Sequence, residues 1–257
     1  MIIGVGWEQL PLVYKAKEKG LYVIVTTIWD GPIPADQIYH VDSCELSQLE
    51  QIFLKEQPNG VIADECDYSM YAVAYLTEKY GLPGPSLSAL TITNNKTLQR
   101  EIAEQISIPQ PQYQMCWSIR QAERFALENG YPIMIKPVDN RGSIGVSKVA
   151  NPEEMRKQWM EALLSTRSKM CIAEQYKEGN VVTVDGYCDN NNFYVLSAAT
   201  KDAYCDTESV AKVLYYPGAL SHQQMARLKK YCTMLVEAIG IDFGFIHAEF
   251  IVNDRDD

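Results

Sequence analysis

The chain has 257 residues, of which 47% are hydrophobic and 22% charged. These values are typical of a globular protein with a substantial core and exclude a disordered, collagen-like or coiled-coil chain. The 33 acidic and 23 basic side chains give a formal charge of −10. Such an acidic balance argues against a nucleic acid or a membrane as the main partner, because both select a basic surface.

No apolar run reaches the roughly 18 residues that span a bilayer. The N-terminus has no basic segment before its apolar residues and reaches Glu8 early, unlike a signal peptide. The seven cysteines are scattered and form no CxxC pair. We therefore expect a cytoplasmic protein whose cysteines are small, reduced core residues.

The first 90 residues alternate strand and helix patterns. Because strands and helices alternate, the pattern predicts a parallel, doubly wound sheet. The run Gly-Leu-Pro-Gly-Pro at residues 81–85 is the strongest break in the chain and predicts domains over residues 1–93 and 94–257. The predicted strands cover residues 2–5, 21–28, 38–41 and 60–63, and the predicted helices residues 8–19, 46–55 and 70–80.

The second half contains more strands, and its strands follow one another as hairpins, so we expect an α+β domain. Asn94 or Asn95 is the predicted N-cap of its first helix. The predicted strands cover residues 113–117, 133–136, 146–149, 170–176, 181–187, 193–199 and 243–252. The predicted helices cover residues 94–106, 120–129, 152–164 and 221–239.

A glycine pair, Gly4 and Gly6, follows the first predicted strand, where a dinucleotide-binding fingerprint would lie. The third glycine of that fingerprint would be at position 9, which is Gln9, although Asp30 follows the second strand at the place of a ribose-binding acid. The glycine pair can therefore be interpreted as part of a nicotinamide site or as an ordinary tight turn. The missing third glycine favours the turn.

A lysine, Lys136, lies in the otherwise apolar strand YPIMIKP and is followed by the loop DNRGSIG at residues 139–145. Each feature alone has a simple structural explanation, a surface lysine and a hairpin. Together they indicate a nucleotide site, because a glycine-rich backbone can enclose phosphates while a nearby ammonium neutralises them.

Two further segments carry polar groups next to apolar strands. The segment EQYKEG at residues 174–179 ends a strand, where backbone groups can pair with adenine; a polar strand end is the alternative. Strand alternation places His247, Glu249 and Ile251 on one face of the last strand, opposite Ala248 and Phe250. A carboxylate among apolar residues requires a cation, and Mg²⁺ held between Glu249 and phosphate would supply one.

These motifs, in this order, resemble the ATP-grasp superfamily, in particular its carboxylate–amine ligases and carbamoyl-phosphate-synthase-like members, over nearly the whole chain. The resemblance implies a Rossmann-like preceding domain with a parallel sheet and an α+β ATP-grasp domain. It implies ATP and Mg²⁺ as cofactors, with Glu249 binding the metal. The residues that match ATP-binding positions are Lys96, Lys136, Arg141, Gly142, Ser143, Ile144, Gly145, Val146, Glu174, Gln175, Tyr176, Lys177 and Lys201.

The resemblance also implies a reaction: a small-molecule carboxylate is activated as an acylphosphate and then attacked by an amine. No residue matches a covalent nucleophile, so catalysis would rest on positioning and electrostatics. The preceding domain contributes to dimers in related enzymes, which makes a homodimer an expectation.

Two departures from the family pattern qualify these expectations. No acidic residue follows the turn at Asn180, which leaves Asp185 or a backbone group to contact the ribose. The chain also ends at Asp257, before a second metal-binding strand, and Asp254 and Asp256 look like a solvated turn. We therefore expect an incomplete ATP-grasp domain from a longer ligase. The alternatives are a non-catalytic or partner-dependent ATP-binding subunit and, less favoured, a nicotinamide-dependent dehydrogenase module.

Overall fold

The structure is a computed structural model and describes residues 1–64, 67–190, 192–204 and 207–253. The chain divides into two compact units, Met1–Thr91 and Ile92–Asp257. Among the described helices, none combines the length and apolarity needed to cross a membrane. The expected solvated turn at Asp254 and Asp256 lies outside the described residues.

The first unit contains a three-stranded parallel sheet with the order β1–β2–β3. Its strands are β1 (Ile2–Ile3), β2 (Ile24–Thr27) and β3 (Gln37–His40), and its helices are α1 (Leu10–Glu18), α2 (Leu46–Glu56) and α3 (Asp67–Tyr80), with α4 (Leu87–Thr93) following. A single 3-10 turn, Trp7–Gln9, precedes α1.

Apolar residues cover both faces of this sheet. Ile3 shares a core cluster with Leu49 of α2 and Leu76 of α3, whereas Val25 shares another with Val13 of α1. Helices on both faces are the defining feature of a doubly wound sheet, so the predicted parallel α/β organisation is confirmed.

The predicted strand over residues 60–63 is much shorter than expected. Ile62 forms one parallel bridge with Ile2; its N–H donates to the carbonyl of Met1 at 3.0 Å, and its carbonyl accepts from Ile3 at 2.9 Å. The apolar run therefore lies beside β1 as predicted, but only one residue is paired.

The second unit contains two antiparallel sheets of four strands each. The first antiparallel sheet has the order β4–β7–β5–β6 and consists of β4 (Tyr113–Cys116), β5 (Ile133–Pro137), β6 (Ser147–Val149) and β7 (Cys171–Gln175). The second has the order β10–β9–β8–β11 and consists of β8 (Asn180–Asp189), β9 (Asn192–Tyr204), β10 (Thr207–Tyr215) and β11 (Phe243–Val252). The helices are α5 (Lys96–Gln105), α6 (Ile119–Asn129), α7 (Pro152–Ser165) and α8 (His222–Ile239).

Each antiparallel sheet packs one face against a helix layer and leaves the other face open. In the first sheet, Ile133 and Ile135 share a core with Phe125 of α6 and Trp159 of α7. Because side chains alternate along a strand, Met134 and Lys136 project from the opposite face. That opposite face carries the candidate site.

The second antiparallel sheet is built in the same way. Val182 and Val184 of β8 form a core with Leu228 and Cys232 of α8, against which Phe250 packs. The alternation predicted for β11 is confirmed, because its exposed positions alternate with those that contact this core.

Two elements were not expected from the sequence. Strand β10 pairs with β9 through two register shifts, and such irregularities disrupt the alternation by which strands are recognised. Helix α4 is short and has the sequence LSALTIT, whose β-branched residues have a low helix propensity.

Four described cysteines follow the core expectation. Cys116, Cys171, Cys188 and Cys232 are buried, and burial raises the pKa of the Cys116 thiol to about 11 and that of Cys232 to about 12. Thiols with such pKa values are unreactive at neutral pH. Cys44 is exposed, so the expectation was wrong there, and Cys66 and Cys205 lie outside the described residues.

Candidate functional site

The centre of the candidate site is a buried carboxylate between two cations on the open face of the first antiparallel sheet. Lys136 Nζ of β5 lies 2.5 Å from Glu174 Oε2 of β7, and Arg100 Nε of α5 lies 2.8 Å from Glu174 Oε1. The Glu174 side chain is 3% exposed, that of Lys136 21% and that of Arg100 28%. The sequence predicted Lys136 and Glu174 as site residues, and the fold brings them into contact.

The charge state of Glu174 follows from this arrangement. Burial alone raises the pKa of its carboxyl, but the charges and hydrogen bonds of Lys136 and Arg100 outweigh burial and bring the pKa down to about 2. Glu174 is therefore ionised at neutral pH and holds the Lys136 ammonium beside β7, on the open face of the sheet.

One residue, Val138, separates β5 from the glycine-rich loop, and the first residues of the loop are held by hydrogen bonds. Asp139 accepts hydrogen bonds from Thr166 Oγ1 at 2.5 Å and from the N–H of Ser168 at 2.7 Å. Asn140 Nδ2 donates to the carbonyl of Ser165 at 2.8 Å. These contacts tie the start of the loop to the C-terminal end of α7.

The tip of the loop has a left-handed backbone. Gly142, Ser143 and Gly145 have φ values of 61°, 57° and 75°, and two turn hydrogen bonds join Ile144 N–H to Arg141 and Val146 N–H to Ser143. These two N–H groups are engaged within the loop, so an enclosed phosphate would have to be met by other groups of the same segment.

Lys96 is the first residue of α5 and contacts the same loop. Its N–H donates to the carbonyl of Val138 at 3.0 Å, and its Nζ donates to the carbonyl of Asn140 at 2.5 Å. Asn95 caps the helix by accepting from the N–H groups of Thr97 and Leu98. The capped helix thus presents a second ammonium at the base of the loop that follows Lys136.

The predicted adenine-contacting segment follows β7 directly. The N–H of Gln175 donates to the carbonyl of Gln112 at 2.9 Å. The ring of Tyr176 lies under the ammonium of Lys148, whose Nζ is 3.9 Å from the ring centroid. Within the segment predicted to contact the base, the N–H of Gln175 is thus already used by the chain itself.

The predicted metal ligand, Glu249, lies on the open face of the second antiparallel sheet. Lys201 Nζ of β9 reaches across β8 to Glu249 Oε1 at 2.9 Å. The Glu249 side chain is 53% exposed and that of Lys201 only 11%. The expectation of an embedded carboxylate was therefore wrong, because alternation places Glu249 opposite the α8 core and leaves it half in solvent.

Asp185 lies on β8 opposite His247, two residues along β11 from Glu249, and its carboxylate has hydrogen-bond partners. His247 Nδ1 is 2.7 Å from Asp185 Oδ1, and Tyr216 Oη donates to Asp185 Oδ2 at 3.3 Å. Its carboxylate is thus engaged by His247 of β11 and by Tyr216, which directly follows β10. Within the described residues, no three His, Cys, Asp or Glu side chains are grouped as a complete metal site.

The glycine turn of the first unit is filled by its own chain. Gln9 Oε1 accepts from the N–H of Gly6 at 2.7 Å, and Gln9 Nε2 donates to the carbonyl of Asp64 at 3.1 Å. Gly4 has a φ of 76°, and a Cβ there would collide with the side chain of Ser69. Both glycines therefore have structural explanations, and the N–H that a pyrophosphate would need is already used.

Sequence reasoning missed Arg100, Lys148 and the Asp185–His247 contact. A signal for Arg100 was present, because it follows Lys96 by four residues in a predicted helix and so shares its face. Lys148 and the Asp185–His247 contact depend on strand pairing: Met134 lies opposite both Lys148 and Glu174, and Asp185 lies opposite His247. No local pattern specifies those registers.

Several solved structures share this architecture. An L-amino acid ligase from Bacillus licheniformis superposes with a TM-score of 0.84 at 21% identity, covering 99% of this chain and 63% of that one. A phosphoribosylglycinamide synthetase from Anaerococcus prevotii gives 0.76 at 20% identity, covering 99% and 65%. The biotin carboxylase domain of the Hydrogenobacter thermophilus 2-oxoglutarate carboxylase, solved with MgADP, ADP and bicarbonate, gives 0.85 at 17% identity, covering 100% and 61%.

The chain thus spans less than two thirds of the length of each of these proteins. At such identities the likeness shows the fold: a parallel α/β unit followed by two antiparallel sheets. The family model of the ATP-grasp domain matches residues 129–257, half of the chain. The chain belongs to the ATP-grasp family.

Proposed function

We propose that the chain carries the ATP site of an ATP-dependent ligase that joins a carboxylate to an amine. The observation that carries this proposal is the position of Lys136. Its ammonium is held by the buried carboxylate of Glu174, and its strand leads directly into the glycine-rich loop. The L-amino acid ligase and the synthetase that share the fold have names consistent with such chemistry.

In this proposal the two lysines bind the phosphates of ATP. Lys136 and Lys96 contact the α- and β-phosphates, and the loop over residues 141–146 covers the β- and γ-phosphates. The adenine lies against the segment over residues 174–177, where the carbonyl of Gln175 and the N–H of Lys177 pair with the base. Lys201 adds positive charge near the phosphates, and the site belongs to the domain predicted over residues 94–257.

The described residues fit Mg²⁺ as the accompanying ion. Glu249 supplies a hard carboxylate oxygen, and Mg²⁺ in nucleotide sites is held by one or two carboxylates together with phosphate oxygens and water. Mg²⁺ would neutralise charge on the triphosphate. Glu249 would exchange its contact with Lys201 for the ion, which leaves the Lys201 ammonium to face the same phosphates.

The chemistry proposed for the site is electrostatic. The substrate carboxylate attacks the γ-phosphorus, ADP leaves, and an acylphosphate forms. An amine then attacks the acyl carbon and displaces phosphate, which gives the amide. The chain's own residues contribute by holding the triphosphate in line and stabilising its charge.

Nucleotide binding tests the first half of the proposal. Mg-ATP at a hundredfold excess over Kd is expected to add about 2.7 kcal/mol to the free energy of unfolding, because it binds only the native state. Lys136→Met removes a charge from the site and should abolish most of that gain. Lys157→Met is the matched control, because Lys157 is an exposed lysine on α7 paired with Glu161. Equal ATP stabilisation in all three proteins would refute this role for Lys136.

Trapping of the acylphosphate tests the second half. Hydroxylamine supplied in place of the amine should convert an activated carboxylate into a hydroxamate, detected by its ferric complex, when the chain is incubated with Mg-ATP and a panel of L-amino acids. The product should disappear in Lys136→Met. Normal ATP binding without hydroxamate from any carboxylate, both in this chain and in one extended beyond Asp257, would argue for a non-catalytic ATP-binding subunit.

A nicotinamide site is not favoured. A pyrophosphate in this turn would need the N–H of Gly6 as a donor. That N–H already donates to Gln9 Oε1. Added NADH should therefore show no change in fluorescence.

A further inference from the structure

We propose that Arg100 is a positioning residue of the ATP site, which keeps the charge of Lys136 available to phosphate by neutralising Glu174. This inference rests on the proposed function. Arg100 reaches the site from α5, whereas Lys136 and Glu174 come from β5 and β7. It matches no ATP-binding position of the family pattern described above.

Together, Glu174, Lys136 and Arg100 carry a net positive charge. Glu174 places one oxygen on Lys136 and the other on Arg100, so two cations share one anion and the group carries a net charge of +1. Without Arg100, Glu174 and Lys136 would form a neutral pair. A neutral pair attracts a polyphosphate far less, since the attraction depends on the net charge close to the phosphates.

Geometry supports the same role. Glu174 is nearly inaccessible to solvent, so water contributes little to the stabilisation of its charge and the two cations must do so. If Lys136 were the sole partner of Glu174, its movement towards phosphate would leave a buried carboxylate without a cation, which is strongly unfavourable. Arg100 supplies a second partner, and Lys136 can then turn towards phosphate.

This role predicts a result that a purely structural role does not. Arg100→Met should weaken Mg-ATP binding about tenfold or more, as expected when one member of a coupled buried charge group is removed. The double variant Arg100→Met with Glu174→Gln again leaves a net charge of +1, carried by Lys136 alone. Because the charge is restored, it should bind Mg-ATP about threefold or more tighter than Arg100→Met, and Arg100→Lys should retain most of the wild-type affinity.

The experiment is calorimetric titration of Mg-ATP into the 257-residue chain and these variants, with circular dichroism to verify that each is folded. The matched control is the exposed Arg124–Glu128 pair on α6, whose atoms are also 2.8 Å apart; Arg124→Met, alone and with Glu128→Gln, should bind like the wild type.

If the double variant at the site binds no better than Arg100→Met, the proposed role is wrong. If Arg100→Met binds like the wild type while Lys136→Met does not, the role of Arg100 is refuted and the ATP site stands. If the wild-type chain binds no ATP, the proposed function fails and this inference with it.

Discussion

At the scale of single residues, the contrast between Glu174 and Glu249 shows how burial decides the use of a carboxylate. Both lie on strands and both contact a lysine within 3 Å. Glu174 is buried and held by two cations, so it is a fixed internal anion. Glu249 is half exposed and has a single lysine partner among the described residues, so it can exchange that partner for an ion with little desolvation cost.

The depressed pKa of Glu174 predicts a specific pH dependence of stability. Its pKa is about 2 in the folded chain against an ordinary value near 4.3 when unfolded, so the unfolded chain takes up the proton first as the pH falls. Ionised Glu174 therefore adds about 3 kcal/mol to the free energy of unfolding. This contribution is fully present above about pH 5 and is lost as the pH falls towards 2.

Urea unfolding of the wild type and Glu174→Gln between pH 7 and pH 2 measures this effect. The difference in the free energy of unfolding between the two proteins should shrink as the pH falls through that interval. Glu128→Gln, which removes an exposed carboxyl of α6, controls for the loss of a surface charge. A difference that stays constant down to pH 2 would contradict the role given to Glu174.

At the scale of elements, the loop between β5 and β6 combines a fixed base with a left-handed tip. Its two glycines differ in their surroundings. A Cβ at Gly145 would lie 2.8 Å from Ser165 Cβ and 2.9 Å from Pro137 Cγ, whereas a Cβ at Gly142 would meet nothing within 4 Å. Gly145 is therefore required by packing as well as by its φ, and Gly142 by its φ alone.

Alanine substitutions separate these two requirements. Gly142→Ala should cost about 1 kcal/mol, the price of a left-handed non-glycine residue. Gly145→Ala should cost about 2 kcal/mol more, because the overlap with Pro137 and Ser165 adds to the same backbone strain. Urea unfolding of both variants gives the comparison, and equal losses would mean that the loop relaxes away from α7.

At the scale of the whole molecule, the chain contains two units, each with glycine-containing turns, and the proposed function assigns ATP to the second. In the first unit Gln9 fills the turn after β1. In the second unit Lys96 contacts the loop that follows β5, and Lys136 lies on β5 and contacts Glu174. The proposal therefore specifies which unit should respond to nucleotide.

Amide hydrogen exchange with and without Mg-ATP locates that response. Protection should increase in peptides that cover residues 96–100, 136–146 and 174–177, because ligand binding suppresses local opening where the ligand contacts the backbone. Peptides that cover residues 4–9 should exchange at the same rate with and without ATP. Protection confined to residues 4–9 would instead place the nucleotide at the glycine turn of the first unit.

Local sequence patterns predicted most of the elements and identified the lysines of the candidate site. Strand β11 has the predicted bounds, and Asn95, one of the two predicted N-caps, caps α5, because alternation and capping are local signals. The glycine loop and the lysine before it were likewise recognisable, since the chemistry of both lies within about ten consecutive residues.

The contacts between these segments could be seen only in the folded chain. Arg100 and Glu174 are 74 residues apart and Lys201 and Glu249 are 48 apart, so their contacts depend on which strands pair and in which register. Alternation gives the face on which Glu249 lies, but the exposed fraction of its side chain depends on what packs there, as does the engagement of Gly6 by Gln9. Burial and long-range pairing set the charge state and the partners of each polar group, and neither quantity is encoded in a local stretch of sequence.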